Sequence, residues 1–203
     1  MTTPPPYIAL EGSEGSGKST QAKRLAAALD AVLTRETGGT DVGARLRAIL
    51  HDVDVVDLED RAEALITAAD RAQHIARVVR PALEAGHPVV SDRTVYSTLA
   101  YQGYGRGLDL GELRTLNDWA IGGLWPTRVV LLEAPVDVLA ARLRGRELDR
   151  FERAGAEFHQ RVADGYRAMA AADPDGWVVV DAAADPDEVA RQVLAQVAIK
   201  GAL

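Results

Sequence analysis

Short apolar runs alternate along the chain with longer segments in which apolar residues recur every three or four positions. The short runs have the length and the Val, Ile and Leu content of buried strands, and the longer segments have the period of amphipathic helices. Strands and helices that alternate in this way predict a parallel sheet with helices on both faces. The five predicted strands are residues 7–10, 31–34, 88–91, 128–132 and 177–180.

Seven helices are predicted between and after these strands, and we find no segment with the composition of a domain linker. We therefore predict a single α/β domain over residues 1–203, in which residues 1–6, with three prolines, form a flexible tail. Ligands of open parallel sheets bind at the carboxyl ends of the strands, so the residues that follow each strand are the candidates for function. The predicted helices are residues 18–29, 43–50, 58–85, 110–121, 136–143, 152–171 and 186–197.

A glycine-rich loop follows the first predicted strand and precedes a helix. The sequence GSEGSGKS, residues 12–19, fits the pattern GxxxxGK[ST], whose backbone N–H groups cradle the phosphates of a nucleoside triphosphate. In this pattern Lys18 reaches the β- and γ-phosphates and the Ser19 hydroxyl binds Mg²⁺. A chance glycine-rich turn is the alternative, and the flanking strand and helix argue against it. The predicted phosphate-binding residues are Gly12, Ser13, Glu14, Gly15, Ser16, Gly17, Lys18, Ser19 and Thr20.

Charged residues also follow the second and third predicted strands. Arg35 comes after the second strand, and Asp92 and Arg93 come after the third. A carboxylate at this edge can hold Mg²⁺ through water, and arginines can donate paired hydrogen bonds to a phosphate. The plainer alternatives are that Asp92 caps the next helix and that Arg93 pairs with a surface acid. We predict a magnesium site at Ser19 and Asp92, with Asp92 acting through water.

Arginine is concentrated in one short segment between two predicted helices. Four arginines fall within nine residues of a chain whose formal net charge is −7. Phosphoryl transfer needs positive charge around the transferred group, and the glycine-rich loop supplies one lysine. We predict that residues 142–152 form a lid over this group, with a solvated helix end as the alternative. The four arginines are Arg142, Arg144, Arg146 and Arg150.

The composition excludes several classes of function. The net charge of −7 disfavours a general nucleic-acid surface, and no apolar run approaches the ~20 residues that span a bilayer. The chain has no cysteine, which excludes disulfides and thiolate metal sites, and its N-terminus lacks the features of a signal peptide. We predict a cytoplasmic protein with no nucleic-acid or membrane partner. Its histidines, His51, His74, His87 and His159, have no metal-ligand spacing.

Seven segments together resemble bacterial thymidylate kinase, a family of P-loop nucleoside monophosphate kinases. They occur in order along most of the chain. The resemblance implies a five-stranded P-loop kinase fold, a homodimer, and transfer of the γ-phosphoryl group of ATP to dTMP with Mg²⁺ as cofactor, giving dTDP and ADP. The segments are YIALEGSEGSGKST (7–20), TRETGGT (34–40), AADRAQH (68–74), PALEAG (81–86), SDR (91–93), STLAYQG (97–103) and ELDR (147–150).

Matched position by position, the resemblance implies an acceptor site for dTMP. Glu14 would meet the sugar 3′-hydroxyl, and Arg35 and Arg93 would hold the acceptor phosphate. Arg71 would hydrogen-bond the thymine carbonyl, and Tyr101 would lie under the deoxyribose. Thr98 and Gln102 would make polar contacts to the base. The predicted dTMP-binding residues are Glu14, Arg35, Thr67, Arg71, Arg93, Thr98, Tyr101 and Gln102.

The resemblance also implies which residues act on the transferred phosphoryl group. The family divides by the position of its catalytic arginine, and here Gly15 follows Glu14 while the lid is arginine-rich, which resembles the lid-supplied type. The lid arginines nearest the matching ELDR segment are our first choices. The predicted catalytic residues are Lys18, Arg93, Arg146 and Arg150.

The chain departs from the family at Thr67, where an aromatic ring usually stacks on thymine, and at Thr37, where proline is usual. A stacked ring contributes on the order of 1 to 3 kcal/mol, so we expect dTMP to remain the preferred acceptor with a raised KM. Two alternatives follow. One is a kinase of the same fold that acts on another nucleoside monophosphate. The other is a non-catalytic nucleotide switch, against which the absence of a guanine-binding Asn-Lys-x-Asp motif argues.

Overall fold

The computed structural model describes residues 4–145 and 147–199 and has a five-stranded parallel sheet at its centre. The strand order along the sheet is β2-β3-β1-β4-β5. The first strand pairs with β3 on one side and β4 on the other, so its carboxyl end lies in the middle of the sheet edge. The strands are β1 (Tyr7–Glu11), β2 (Val32–Arg35), β3 (Val89–Asp92), β4 (Arg128–Glu133) and β5 (Trp177–Asp181).

Helices connect the strands and cover both faces of the sheet. Two segments have the wider π-helical turn, and each continues an α-helix without interruption: residues Ile75–Val79 follow α3, and residues Leu99–Gly105 follow α5. The α-helices are α1 (Lys18–Leu29), α2 (Asp41–His51), α3 (Asp60–His74), α4 (Arg80–Glu84), α5 (Val95–Thr98), α6 (Leu110–Ile121), α7 (Val136–Leu143), α8 (Ala156–Ala172) and α9 (Pro186–Ile199).

The central strand is buried along its whole length, which explains why residues 7–10 form a continuous apolar run. The side chains of residues 8–10 alternate between two hydrophobic clusters. Ile8 and Leu10 pack in the cluster formed with α1 and α9, whereas Ala9 belongs to the opposite cluster, which contains Tyr101 and Tyr166. The five strands and the fold class predicted from the sequence are confirmed. β1, β4 and β5 each extend one residue further at the carboxyl end, and β2 and β3 are each shifted by one residue toward the C-terminus.

The single long helix predicted over residues 58–85 is wrong. The structure divides it into α3, the π-helical turn Ile75–Val79 and α4. Pro81 explains the division, because proline has no N–H to donate and its ring clashes with the carbonyl four residues earlier. The wider turn ahead of Pro81 accommodates that clash without ending the helical segment.

Three further helix predictions need correction. No helix was predicted over residues 95–105, where α5 and the second π-helical turn lie, because the segment has no regular apolar period. The helix predicted from residue 152 begins at Ala156, since Gly155 has a φ of +87° that lies outside the helical region. The helix predicted from residue 43 begins at Asp41, where the Thr40 hydroxyl accepts a hydrogen bond from the Gly43 N–H at 2.9 Å. In the part of the chain that the structure describes, no helix has the length and apolar content to cross a membrane.

Candidate active site

The glycine-rich loop joins β1, at the centre of the sheet, to α1. Gly12 has a φ of +140°, and a side chain there would lie 2.4 Å from the Leu132 carbonyl oxygen, so only glycine lets the loop rest against β4. Lys18 is 6% exposed, and its Nζ donates to the Ser13 carbonyl at 2.8 Å and to the Ser16 hydroxyl at 3.3 Å. The loop therefore curls around its own lysine at the positive end of α1, which is the geometry of an anion site.

Ser19 and Asp92 are brought together at the same edge. The Ser19 hydroxyl donates a hydrogen bond to the Asp92 carboxylate, because β1 and β3 are neighbours and Leu10 lies opposite Asp92. Hydroxyl and carboxylate oxygens suit Mg²⁺, which usually takes one or two protein ligands and completes its shell with water and phosphate. Within residues 4–145 and 147–199, no group of three or more His, Asp or Glu side chains could hold a metal. The pair fits a magnesium ion shared with a triphosphate.

Arg93 connects the end of β3 to the glycine-rich loop. Its φ of +69° is unusual for a residue with a side chain, and such strain is typically found at functional sites. Its Nη1 donates to the Gly12 carbonyl at 3.1 Å, and its Nη2 donates to the Tyr101 hydroxyl at 3.1 Å and to the Glu14 carboxylate. Burial acts to raise the pKa of Glu14, but Arg93 and Lys18 together lower it to about 2. Glu14 is therefore charged and oriented at neutral pH.

A cavity of about 500 Å³ extends from the glycine-rich loop past Arg93. Arg35, which is exposed, and Arg47, from α2, line it together with Arg93. Burial and the neighbouring Arg35 and Arg93 guanidinium groups lower the pKa of Arg47 from its ordinary value. Arg47 Nη1 donates to the Thr37 carbonyl oxygen at 3.3 Å. Three guanidinium groups that interact across one cavity form a site for a dianion such as a phosphate monoester.

At its far end the cavity is lined by buried polar side chains that already bind one another. Arg71 is 2% exposed, and it donates to the Glu36 carboxylate at 2.7 Å and to the Thr98 hydroxyl at 3.0 Å. His74 Nδ1 lies 2.7 Å from the other Glu36 oxygen. Although burial acts to raise it, Arg71 and His74 hold the pKa of Glu36 below its ordinary value. The eight residues predicted to bind the acceptor all line this one cavity.

The comparisons with known proteins agree with this geometry. A family model described as thymidylate kinase matches residues 10–193. The chain belongs to the thymidylate kinase family. It is 49% identical over 200 residues to the thymidylate kinase of Solidesulfovibrio magneticus, with 92% of this chain and 96% of the relative covered. It is 41% identical over 206 residues to that of Halothermothrix orenii, with 97% of each covered.

A solved structure of the family has the same architecture. The thymidylate kinase of Ehrlichia chaffeensis aligns with a TM-score of 0.80 at 29% identity, over 96% of this chain and 100% of that one. The resemblance to bacterial thymidylate kinases, the P-loop kinase fold and the class of nucleoside monophosphate kinase, all predicted from the sequence, are confirmed. Members of this family use ATP as phosphoryl donor, which agrees with the glycine-rich loop.

The arginines of the predicted lid lie in different surroundings. Arg142 donates to the Gly15 carbonyl at 3.3 Å and to the Ala182 carbonyl at 2.9 Å. Ala182 directly follows β5. Arg144 is exposed, and Arg146 lies outside the described residues. Arg150 donates to the Leu50 carbonyl at 2.9 Å and to the Glu63 carboxylate at 2.5 Å, and it is not among the described residues that line the cavity. In this conformation Arg142 is the described lid arginine that contacts the glycine-rich loop.

Sequence reasoning did not single out several residues of this thymidylate kinase site. Arg47 lies in the predicted helix 43–50 and belongs to no motif. The sequence feature that could have pointed to it is its position on the helix that directly follows the Arg35 segment. Glu63 is fully buried and binds Gln102 at 2.7 Å, Arg106 at 3.1 Å and Arg150. Glu63 lies in the first turn of α3, where an acidic residue is common, so the sequence gives no signal of these partners.

The ionisation of Lys18 leads to a prediction about ATP binding. Burial and the Arg93 guanidinium lower the pKa of the Lys18 amine to about 8, so about half of the free enzyme carries a neutral Lys18 at pH 8. A bound triphosphate favours the charged amine, so we expect ATP binding at pH 8 to take up about half a proton through Lys18. Titration calorimetry in two buffers of different ionisation enthalpy measures this uptake. The Lys18→Met variant is the control, and equal proton uptake by both proteins would contradict the prediction.

Proposed function

We propose that this protein transfers the γ-phosphoryl group of ATP to dTMP, giving dTDP and ADP. The observation that carries the proposal is the single cavity in which the glycine-rich loop and the three arginines Arg35, Arg47 and Arg93 face one another. One end suits a triphosphate and the middle suits a phosphate monoester, so donor and acceptor would meet inside it. Membership of the thymidylate kinase family supports dTMP as the acceptor.

Catalysis would rest on positioning and charge neutralisation. Lys18 would draw charge from the β- and γ-phosphates, while Arg93 and its neighbours would direct the acceptor phosphate toward the γ-phosphorus. Glu14 is held between Arg93 and the Tyr101 hydroxyl, which donates to it at 3.2 Å, and this places a carboxylate where a sugar hydroxyl would bind. The acceptor phosphate is itself the nucleophile, so no side chain need act as a strong base.

Mg²⁺ would be held by Ser19 and, through water, by Asp92, and it would neutralise charge on the β- and γ-phosphates. The hydrogen bond between the Ser19 hydroxyl and the Asp92 carboxylate holds the two oxygens together in the cavity that Lys18 also lines. Asp92 is thus proposed to organise the metal and not to accept a proton.

The lid of residues 142–152 and a homodimer belong to the same proposal. Arg142 already contacts the glycine-rich loop, so it joins Arg146 and Arg150 as a candidate for the transition-state charge. Two large apolar side chains, Leu65 on α3 and Trp119 on α6, are 58% and 81% exposed on helices that pack together. Tryptophan is enriched in protein interfaces, which supports pairing through this side of the molecule. The single domain and the cytoplasmic location stay predictions.

A coupled assay of ADP release with dTMP, dUMP, dCMP, dGMP and AMP as acceptors tests the function. We expect dTMP to have the highest kcat/KM, because Arg71 and Gln102 place polar groups at the base end of the cavity while Tyr101 fills the space beside the sugar. A higher kcat/KM with another monophosphate would contradict dTMP as the acceptor and identify that monophosphate in its place. Release of ADP that no acceptor stimulates would support the nucleotide switch.

A further inference from the structure

Two phenylalanines occupy nearly equivalent positions around Tyr101. Phe151 and Phe158 both contact the Tyr101 ring edge-on, with ring centroids 5.9 and 6.0 Å away, and both belong to the same hydrophobic cluster. A guanidinium group lies over each ring, that of Arg150 at 4.8 Å from Phe151 and that of Arg106 at 4.7 Å from Phe158. Both arginines also bind the buried carboxylate of Glu63.

One difference separates the two rings. Phe151 lines the cavity that contains Arg71, Thr67 and Gln102, whereas Phe158 is not among its described lining residues. The two side chains are 7% and 3% exposed, so both are buried and only Phe151 presents a surface to the cavity. Their shared packing makes Phe158 a matched reference for Phe151.

The acceptor end of the cavity otherwise offers mainly polar groups. Thr67, Arg71, Thr98 and Gln102 are engaged in hydrogen bonds with one another or with buried carboxylates. Such groups can read the edge of a base, but they do not provide the flat apolar surface on which a planar base gains most of its binding free energy. The Tyr101 hydroxyl is held by Arg93 and Glu14, beside the glycine-rich loop.

The segment that carries Phe151 is fixed to the body of the protein by the two residues that precede the ring. Asp149 binds His51 Nδ1 at 2.7 Å, and Arg150 binds Glu63 and the Leu50 carbonyl. His51 also contacts the Phe151 ring edge-on at 5.2 Å. These contacts hold the ring in the cavity wall although it comes from the segment predicted to be a lid.

We propose that Phe151 is a binding residue for the acceptor base and that its ring packs against the pyrimidine. The inference rests on the proposed function, since it needs dTMP in this cavity. It adds a second role to one segment: the arginines of the lid serve the phosphates, and Phe151 forms part of the wall around the base.

Calorimetric titration of dTMP into the protein without ATP, followed by steady-state kinetics, tests the proposal. We expect Phe151→Leu to weaken dTMP binding about tenfold and to raise the dTMP KM similarly, with kcat and the ATP KM changed by less than about twofold. Phe158→Leu should leave dTMP affinity within about twofold of the wild type, and Phe151→Tyr, which keeps the ring, should do so as well.

The outcomes distinguish the two proposals. Equal dTMP affinity in the wild type and Phe151→Leu, or an equal loss in Phe151→Leu and Phe158→Leu, overturns the role of Phe151 and leaves the kinase function standing. A wild type that binds another monophosphate in place of dTMP overturns the proposed acceptor and this role with it. If Phe151→Leu does not fold, Phe151→Tyr decides, because a tenfold loss with the ring retained contradicts stacking on the base.

Discussion

Replacing Lys18 with alanine is expected to lower kcat by at least about a hundredfold while the protein remains folded. The amine is the one lysine of the glycine-rich loop, it is 6% exposed, and it lies against the Ser13 carbonyl and the Ser16 hydroxyl, where phosphate oxygens would approach. Removal of one charged contact to a developing transition state in a site shielded from water typically costs on the order of 3 to 4 kcal/mol. Coupled measurement of ADP formation with dTMP at saturating ATP gives the effect.

Lys23 provides the control for this experiment. It lies on the same helix α1 but is exposed, so Lys23→Ala makes the same chemical change away from the cavity and should leave kcat within about twofold. Circular dichroism of both variants checks that the fold is retained. Near-normal turnover by Lys18→Ala would show that the loop does not bind the donor phosphates as proposed.

Loss of the Glu36 carboxylate is expected to cost about 3 to 5 kcal/mol of unfolding free energy. Glu36 is 4% exposed and binds both Arg71 and His74, which are 2% and 0% exposed. In Glu36→Ala the Arg71 guanidinium stays buried without its ionic partner, and the free energy of desolvation is no longer offset. Urea denaturation followed by circular dichroism measures the difference.

Glu133→Ala is the matched control, because Glu133 also pairs with an arginine, Arg167, but the two side chains are 35% and 50% exposed. A solvent-screened pair contributes less than about 1 kcal/mol, so this variant should unfold close to the wild type. Equal losses of unfolding free energy in the two variants would show that burial of the Glu36 ion pair does not increase its contribution to stability.

The pH dependence of the Glu36 contribution has a definite sign. Its pKa in the folded protein lies below the ordinary value, so the carboxylate stabilises the fold fully above the pKa of the unfolded chain, about 4.3 for glutamate. That stabilisation is lost as the pH falls from there through the lower folded-state pKa. The difference in unfolding free energy between the wild type and Glu36→Gln should therefore shrink below about pH 4.

Features set by neighbouring residues were predictable from the sequence. The strands, the glycine-rich loop and the pair Asp92 and Arg93 depend on short apolar runs and on what directly follows them, and the parallel sheet then brings their ends together. Pro81 was also a local signal, and the periodic pattern on either side of it hid the change to a π-helical turn.

The remaining part of the site depends on contacts between distant segments. Glu63 and Arg150 are 87 residues apart in sequence, and the Asp149 and His51 pair is 98 residues apart, so neither could be inferred from spacing. Thr67 was recognised as a departure from the family, but the sequence did not indicate that Phe151 lines the same cavity. Packing of α2, α3 and the lid segment determines that arrangement.

The contacts that fix residues 149–151 also bear on the order in which products leave. The lid segment turns at Gly145, where φ is +82° and a side chain would meet nothing within 4 Å, whereas Asp149 and Arg150 are tied to α2 and α3. Segments with few buried contacts open at lower free energy than segments held by buried ion pairs. We therefore expect the exposed contact of Arg142 with the glycine-rich loop to break before the ion pair of Arg150 with the buried Glu63, so that ADP leaves before dTDP.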